Sequence, residues 1–333
     1  MNPPGPIRAS APARLDFAGG WTDVSPYAAE SRGLVVNAAI DLRAEVELVM
    51  GGSGYRLRSD DLGRSLDVAD LGGLEKRGDL DLLRAAIRMN GLGPCALRTW
   101  SAAPPGSGLG SSGALDVALV AALAQATGRR LTAGEMAEEA WQLEAVEAAL
   151  PGGRQDQYAA ALGGFSRLEF DHGVVRAGRL AVDPAFAAEL ERRIVICYTG
   201  QSRVSSNTIA RVMTAYVGRD PRVVGALDRI GGVAERMAGA LEAADLALVG
   251  SLLSENWAAQ QQLDDGIRTD LMTALERTMN DCGSLGGKAA GAGAGGSMFF
   301  LIDGDVDRAR VAATELGARL IPFRWTTQGV HAW

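Results

Sequence analysis

Apolar and polar positions alternate along some segments of the chain and recur every three or four residues along others, and that change of period separates strands from helices. Segments 34–40 and 44–50 combine β-branched residues with partial alternation. Segments 55–58 and 65–68 read as shorter strands between glycine-rich turns, so the opening is mostly β. The spacing of Leu80, Leu82, Leu83, Ala86 and Ile87 predicts a helix over 79–90 that stops at Gly91, and a strand is expected over 95–102. A Pro/Gly/Ser loop over 103–113 leads into an Ala/Leu/Val helix reaching about residue 127. A second helix is expected from Thr132 to Leu150, with Thr132 and Glu135 at capping-box spacing. Further on, 194–199 reads as a strand, helical patterns fill 205–217, 223–243 and much of 246–280, and the apolar run 297–302 reads as a buried strand. A helix over 305–316 and an edge strand over 319–325 close the chain, and a domain break is expected between Gly178 and Glu191.

Composition narrows the class. With 333 residues, 47% hydrophobic and 22% charged, the chain has the make-up of an ordinary globular protein of two domains, or of one with a large second lobe. A net charge of −7 argues against a nucleic-acid surface, which needs clustered Lys and Arg. Cys95, Cys197 and Cys282 lie far apart, and His172 and His331 are the two histidines, so neither a disulfide framework nor zinc-ligand spacing is present. The longest apolar stretch, 114–126, is interrupted by Asp116 and falls short of a membrane span. The first eight residues hold no apolar core of signal-peptide length, and a cytoplasmic location without membrane partners is expected.

Glycine is concentrated in short runs. Pro104-Pro-Gly-Ser-Gly-Leu-Gly-Ser-Ser-Gly-Ala114 lies between an expected strand and an expected helix, where backbone amides and the helix N-terminus can converge on phosphate. Ser107, Ser111 and Ser112 add hydroxyls that can donate or bind a metal. Other nucleotide motifs fail. Gly291, Gly293 and Gly296 match Gly-x-Gly-x-x-Gly, but a strand follows where a dinucleotide site needs a helix. Around Gly287-Lys288 the positions that a Walker loop requires to be Gly and Ser/Thr hold Cys282 and Ala289. There is no Gly-x-Ser-x-Gly elbow either.

Three stretches in this order, Ala13-Arg-Leu-Asp-Phe-Ala-Gly-Gly-Trp-Thr-Asp-Val-Ser-Pro-Tyr27, Pro105–Ala114 and Gly287-Lys-Ala-Ala-Gly-Ala-Gly-Ala-Gly-Gly-Ser297, resemble the three motifs of the GHMP small-molecule kinases. Gly152-Gly-Arg-Gln-Asp-Gln-Tyr158, followed by Ala-Ala-Ala-Leu-Gly-Gly-Phe165, is similar to the branch of heptose-phosphate kinases and L-fucokinase-like sugar kinases. The resemblance implies a two-lobed α+β fold with the active site in the cleft between lobes. The expected units are an N-terminal domain over 1–185 and a C-terminal, ferredoxin-like domain over 186–333. It implies ATP and Mg²⁺, a small-molecule sugar or sugar-phosphate substrate and a homodimer as a possible assembly.

Carried over residue by residue, the nucleotide loop falls on Pro105, Gly106, Ser107, Gly108, Leu109, Gly110, Ser111 and Ser112. Ser112 is also the expected metal ligand, together with a glutamate of the helix ahead of the catalytic loop, Glu144 in preference to Glu147. Asp156 matches the catalytic carboxylate, although its local sequence equally suits a helix N-cap. Arg14 matches an arginine beside that carboxylate, where a permanent positive charge can stabilise the transferring group. Substrate contacts are expected from Asp16, Gly20, Trp21, Thr22, Asp23, Gly153, Arg154, Gln155, Arg203 and Gly293. Where Trp21 stands the heptose-phosphate kinases carry glycine and the fucokinase-like proteins carry tryptophan, so two signatures mix in one motif. The function implied is a kinase acting on the anomeric hydroxyl of a heptose 7-phosphate or similar sugar phosphate. The alternatives are a free-sugar 1-kinase of the fucose or galactose type and a non-catalytic sugar or nucleotide sensor.

Overall fold

The computed structural model describes residues 5–75, 78, 80–150, 152–200 and 205–333. Strand β1 (Ile7–Ala18), the short helix α1 (Tyr27–Glu30) and the long strand β2 (Arg32–Met50) open the chain, followed by β3 (Tyr55–Ser59), β4 (Arg64–Val68), helices α2 (Leu71–Glu75) and α3 (Asp81–Met89), and β5 (Cys95–Ser101). Helices α4 (Ser111–Ala126), α5 (Ala133–Gln142) and α6 (Gln155–Leu162) come next, then β6 (Phe165–Asp171), β7 (Val174–Arg179), α7 (Pro184–Arg193) and β8 (Ile194–Tyr198). The remainder is α8 (Ser205–Val217), α9 (Pro221–Glu242), α10 (Leu246–Gln260), α11 (Asp270–Asp281), β9 (Ser284–Ala289), β10 (Ser297–Ile302), α12 (Val306–Glu315), β11 (Arg319–Leu320) and β12 (His331–Ala332).

Two sheets result. In the eight-stranded one β2 is the spine: it pairs with β1 along one edge, and on the other with β6 over its first half and β5 over its second. The β1–β2 register shifts between Pro12 and Ala13, where a proline without an amide proton interrupts the ladder. The second sheet runs β11-β8-β10-β9, all antiparallel. β10, Ser-Met-Phe-Phe-Leu-Ile, is buried along its whole length, which is why it shows no alternation.

One face of the large sheet packs on α3 to α6, with α4 buried almost all round; its other face meets α7, α9, α10 and the small sheet. β1 therefore carries two side-chain sets: Ala13, Leu15 and Phe17 go into the apolar layer between the sheets, while Arg14 and Asp16 face the opposite side.

Several elements depart from the sequence-based expectation. The helix expected from Thr132 to Leu150 starts with the expected capping box, Thr132 N donating to Glu135 Oε2 at 2.7 Å, but α5 gives way at Leu143–Glu147 to a wider π turn. The strand expected over 319–325 is regular only at Arg319–Leu320; Ile321 N still donates to Ile196 O, Pro322 cannot donate to a ladder, and Trp325 makes a bridge to Ile40 in the other sheet. The large sheet ends with β7 and the small one begins with β8, on either side of the expected boundary at 185. The tail then crosses back, β12 pairing with β1, so the last strand of the expected second unit completes the first sheet.

Candidate active site

The loop between β5 and α4 arches over the start of α4, whose N-cap, Gly110, lies at φ +74° and brings no side chain to its own first turn. Amides of that first turn are left for a ligand. A Cβ on Gly113 would fall 2.5 Å from Asp156 Cβ, and one on Gly110 would fall 3.1 Å from Asp156 Cγ and Arg14 Cγ. Glycine at these two places is what allows the Asp156 carboxylate to lie directly against the loop. The third glycine run docks on the same loop: a Cβ on Gly291 would meet Gly108 Cα at 2.9 Å, and Ser297 N donates to Ser107 O at 2.8 Å.

Asp156 stands in the first turn of α6. Arg14 Nε donates to its Oδ1 at 2.8 Å and Nη2 lies 2.7 Å from the same oxygen, while Nη1 donates to Gly108 O at 2.7 Å and Ala290 O at 2.9 Å. One buried guanidinium thus ties together the carboxylate, the central glycine loop and the third loop. The side chain of Asp156 keeps 25% of its surface open, towards a cavity of about 270 Å³.

Glu144 and Glu147 are now distinguished. The π turn directs Glu144 into the cavity wall and leaves Glu147 exposed. Gln157 Nε2 donates to Glu144 Oε2 at 2.7 Å. Burial, and secondarily the charge of Asp156, raise the Glu144 carboxyl to about 7, against hydrogen bonds from Ser112 and Gln157. Asp116, one turn after Ser112 on α4, is fully buried; burial and the charges of Glu144 and Asp156 push its carboxyl well above the usual range.

The far end of the cavity is built from side chains. Asp23 Oδ2 accepts from Gln155 N at 3.0 Å, and a Cβ on Gly153 would sit only 1.8 Å from that oxygen. Burial raises the Asp23 carboxyl to about 6, with Asp156 and Asp16 adding to the shift. Trp21 lines the cavity at φ +85°, a left-handed conformation that glycine adopts freely and tryptophan does not. Its Nε1 is buried without a hydrogen-bond partner among the described residues. Asp16 and Gly20 complete this wall.

Several expected contacts are not in the wall. The Thr22 hydroxyl is buried on backbone, donating towards Gly19 O or Leu34 O and accepting from Leu34 N, so it holds the turn rather than a ligand. Arg154 stacks 4.0 Å over the Trp141 ring and donates to Gly173 O. Gly293 packs on Ile267, and Gly291 and Ala292 take its place in the lining. In the loop, Leu109 is a core residue, Ser107 is buried, and Pro105 O accepts from Tyr198 Oη. Arg203 lies outside the described residues.

Three contributors escaped the sequence reading. Gln157 holds Glu144, and Asp116 is the one acid inside an apolar helix, a visible signal. Lys288 is fully buried and donates to Asp16 O at 2.8 Å and Asp16 Oδ2 at 3.0 Å. Its signal was rarity: Lys76 and Lys288 are the only lysines among 33 basic residues.

The profile of the GHMP kinases N terminal domain matches residues 80–164, and that of the GHMP kinases C terminal region matches residues 237–319. A D-glycero-alpha-D-manno-heptose 7-phosphate kinase of Campylobacter jejuni is 30% identical over 98% of both chains. The bifunctional fucokinase/GDP-fucose pyrophosphorylase of Arabidopsis thaliana is 28% identical over 91% of this chain, a match that spans 30% of the plant protein. The crystal structure of a D-glycero-D-manno-heptose 1-phosphate kinase from Bacteroides thetaiotaomicron superposes with a TM-score of 0.79 at 27% identity over 98% of each chain. Galactokinase of Lactococcus lactis, solved with galactose, shares the fold, with a TM-score of 0.77 at 20% identity over 98% of this chain and 95% of its own. With both family profiles matched and a full-length relative at this identity, the chain belongs to the GHMP kinases, phosphotransferases that act on an alcohol group.

Proposed function

We propose that this kinase transfers the γ-phosphoryl group of ATP to the anomeric hydroxyl of a sugar or sugar phosphate, with a heptose 7-phosphate or similar higher-carbon sugar phosphate as first candidate. The observation that carries the reading is the placement of Asp156: locked by Arg14, pressed on the glycine loop and open to a cavity whose other wall is Asp16, Trp21 and Asp23. The names of the Campylobacter and Bacteroides relatives favour a heptose phosphate.

In this reading, amides over 106–112 bind the nucleotide phosphates, and Asp156 accepts the proton of the acceptor hydroxyl while the hydroxyl oxygen bonds to the γ-phosphorus. The bond from that phosphorus to the β–γ bridging oxygen breaks, ADP leaves, and the proton passes from Asp156 to solvent. Arg14 fixes the carboxylate and places positive charge beside the transferring group.

Ser112 and Glu144 would hold Mg²⁺. They fit it: both offer hard oxygen donors, and both line the same cavity beside the carboxylate of Asp156. Bound there, the ion would neutralise phosphate charge. Trp21 presents a ring to a sugar face, and Asp23, set by Gly153 and Gln155, is the acceptor for sugar hydroxyls.

A free-sugar 1-kinase is the second reading, favoured by one observation. Arg14 is the only cationic side chain among the described residues lining the cavity, and it is already engaged by Asp156, which leaves no described partner for a substrate phosphate. Coupled ADP release against heptose 7-phosphate, fucose, galactose and mevalonate decides: turnover with mevalonate and none with any aldose would overturn the sugar reading. Absence of turnover with all of them, alongside sugar and nucleotide binding, would favour a sensor.

A further inference from the structure

Lys288 and Asp16 form an ion pair that spans the two sheets, Lys288 from β9 and Asp16 from β1, and both are removed from solvent. A buried ion pair is a poor way to gain stability, because two apolar side chains would fill the same space without the cost of desolvating two charges. Its retention calls for another reason, and the unused valences supply one. Lys288 Nζ places two of its three donors on Asp16 O and Asp16 Oδ2. Asp16 Oδ1 is buried and has no hydrogen-bond partner among the described residues, and Asp16 is one of the residues that line the cavity. Gly20 packs on the other oxygen so closely that a Cβ there would lie 2.2 Å from Asp16 Oδ2. The carboxylate is therefore clamped through one oxygen, with the second left over.

Its position is equally specific. Arg14 and Asp16 are two residues apart on one face of β1, and Arg14 grips the reactive carboxylate Asp156. Asp16 thus stands roughly 7 Å along the strand from the arginine that marks the reacting end. A hydroxyl bound at Asp16 would belong to a part of the acceptor other than the oxygen that is phosphorylated.

We infer that Lys288 is a positioning residue that holds Asp16 so that Oδ1 accepts a hydrogen bond from a second, non-reacting hydroxyl of the acceptor. The inference rests on the reading of this cavity as the acceptor site of a sugar kinase. Lys288 itself does not line the cavity; the cavity-lining side chain that its ammonium bonds is Asp16.

The test uses the full chain, the acceptor that gives turnover with the unsubstituted enzyme, and its monodeoxy analogues. Three variants are compared: Asp16→Asn, Lys288→Met and the double variant, which removes both buried charges and keeps the measurement possible if Lys288→Met alone does not fold. The unsubstituted enzyme should reject one non-reacting deoxy analogue by roughly tenfold in kcat/KM, the scale of a lost hydrogen bond to a charged group. Each folded variant should raise the acceptor KM by a similar factor with the KM for ATP unchanged, and should no longer discriminate against that analogue. The double variant should recover the melting temperature without recovering the discrimination.

Restored acceptor KM and restored discrimination in the double variant would make the pair purely structural and overturn the inference. So would unchanged discrimination in Asp16→Asn or in folded Lys288→Met. Lack of turnover by the unsubstituted enzyme with every sugar would instead strike the functional reading beneath it.

Discussion

The two ends of the cavity are built on different principles. The loop end is made of main chain: Gly110 and Gly113 bring α4 against Asp156, and the third glycine run lies on Gly108 with no side chain between them. The far end is made of side chains drawn from distant elements, Trp21 and Asp23 from the turn after β1, Gln155 from α6, and Asp16 with its partner Lys288 from the two sheets. A backbone cradle suits the invariant part of a kinase reaction, the phosphates, because amides cannot be exchanged by substitution. A side-chain wall suits the variable part, the acceptor, because each residue can be altered without moving the loop.

That contrast breaks most visibly at Asp156, where the ends meet. Asp156→Asn should lower kcat by roughly 10²–10⁴-fold, the usual share of a positioned acid or base, while a fluorescent nucleotide titration shows binding retained. Gly113→Ala tests the backbone end: the new methyl collides with Asp156, so turnover should collapse with any acceptor and denaturant melts should show a loss of about 1–3 kcal/mol.

At the side-chain end, the buried carboxyl of Asp23 is raised from 3.8 to about 6, so between those values the folded chain keeps a proton that the unfolded chain has released. Its contribution to stability therefore declines as pH rises through that window and levels off above it. Asp23→Asn should flatten this part of the pH–stability curve, a difference of about 3 kcal/mol read by urea melts at several pH values.

Trp21→Gly removes the ring and leaves a residue at ease with φ +85°. It should raise the acceptor KM by roughly threefold to tenfold, with little change in the KM for ATP. Thr132→Ala lies outside both ends and serves as a control: loss of the capping box should cost about 1 kcal/mol and leave the KM for both substrates in place.

Much of the backbone end was legible in the sequence. The strand–glycine loop–apolar helix order, the capping box at Thr132 and the buried strand at Ser297–Ile302 are local patterns, and local sterics and periodicity decide them. The side-chain end was legible only in part. Thr22, Arg154 and Gly293 carry the right chemistry in the right motifs, but neighbouring backbone, Trp141 and Ile267 engage them elsewhere. The choice between Glu144 and Glu147 depended on a π turn within an otherwise helical pattern, and no periodicity argument distinguishes two glutamates three residues apart there.

What the sequence determined by itself, then, is the central glycine loop, its helix and the family to which the motifs belong, because these follow from residues close together in the chain. Which polar groups converge on the far wall of the cavity was decided only when β1, α6 and β9 packed together. The Lys288–Asp16 pair joins residues 272 positions apart. A contact of that range leaves no periodic trace in a single sequence, since it is set by how two sheets meet and not by the conformational preference of either strand.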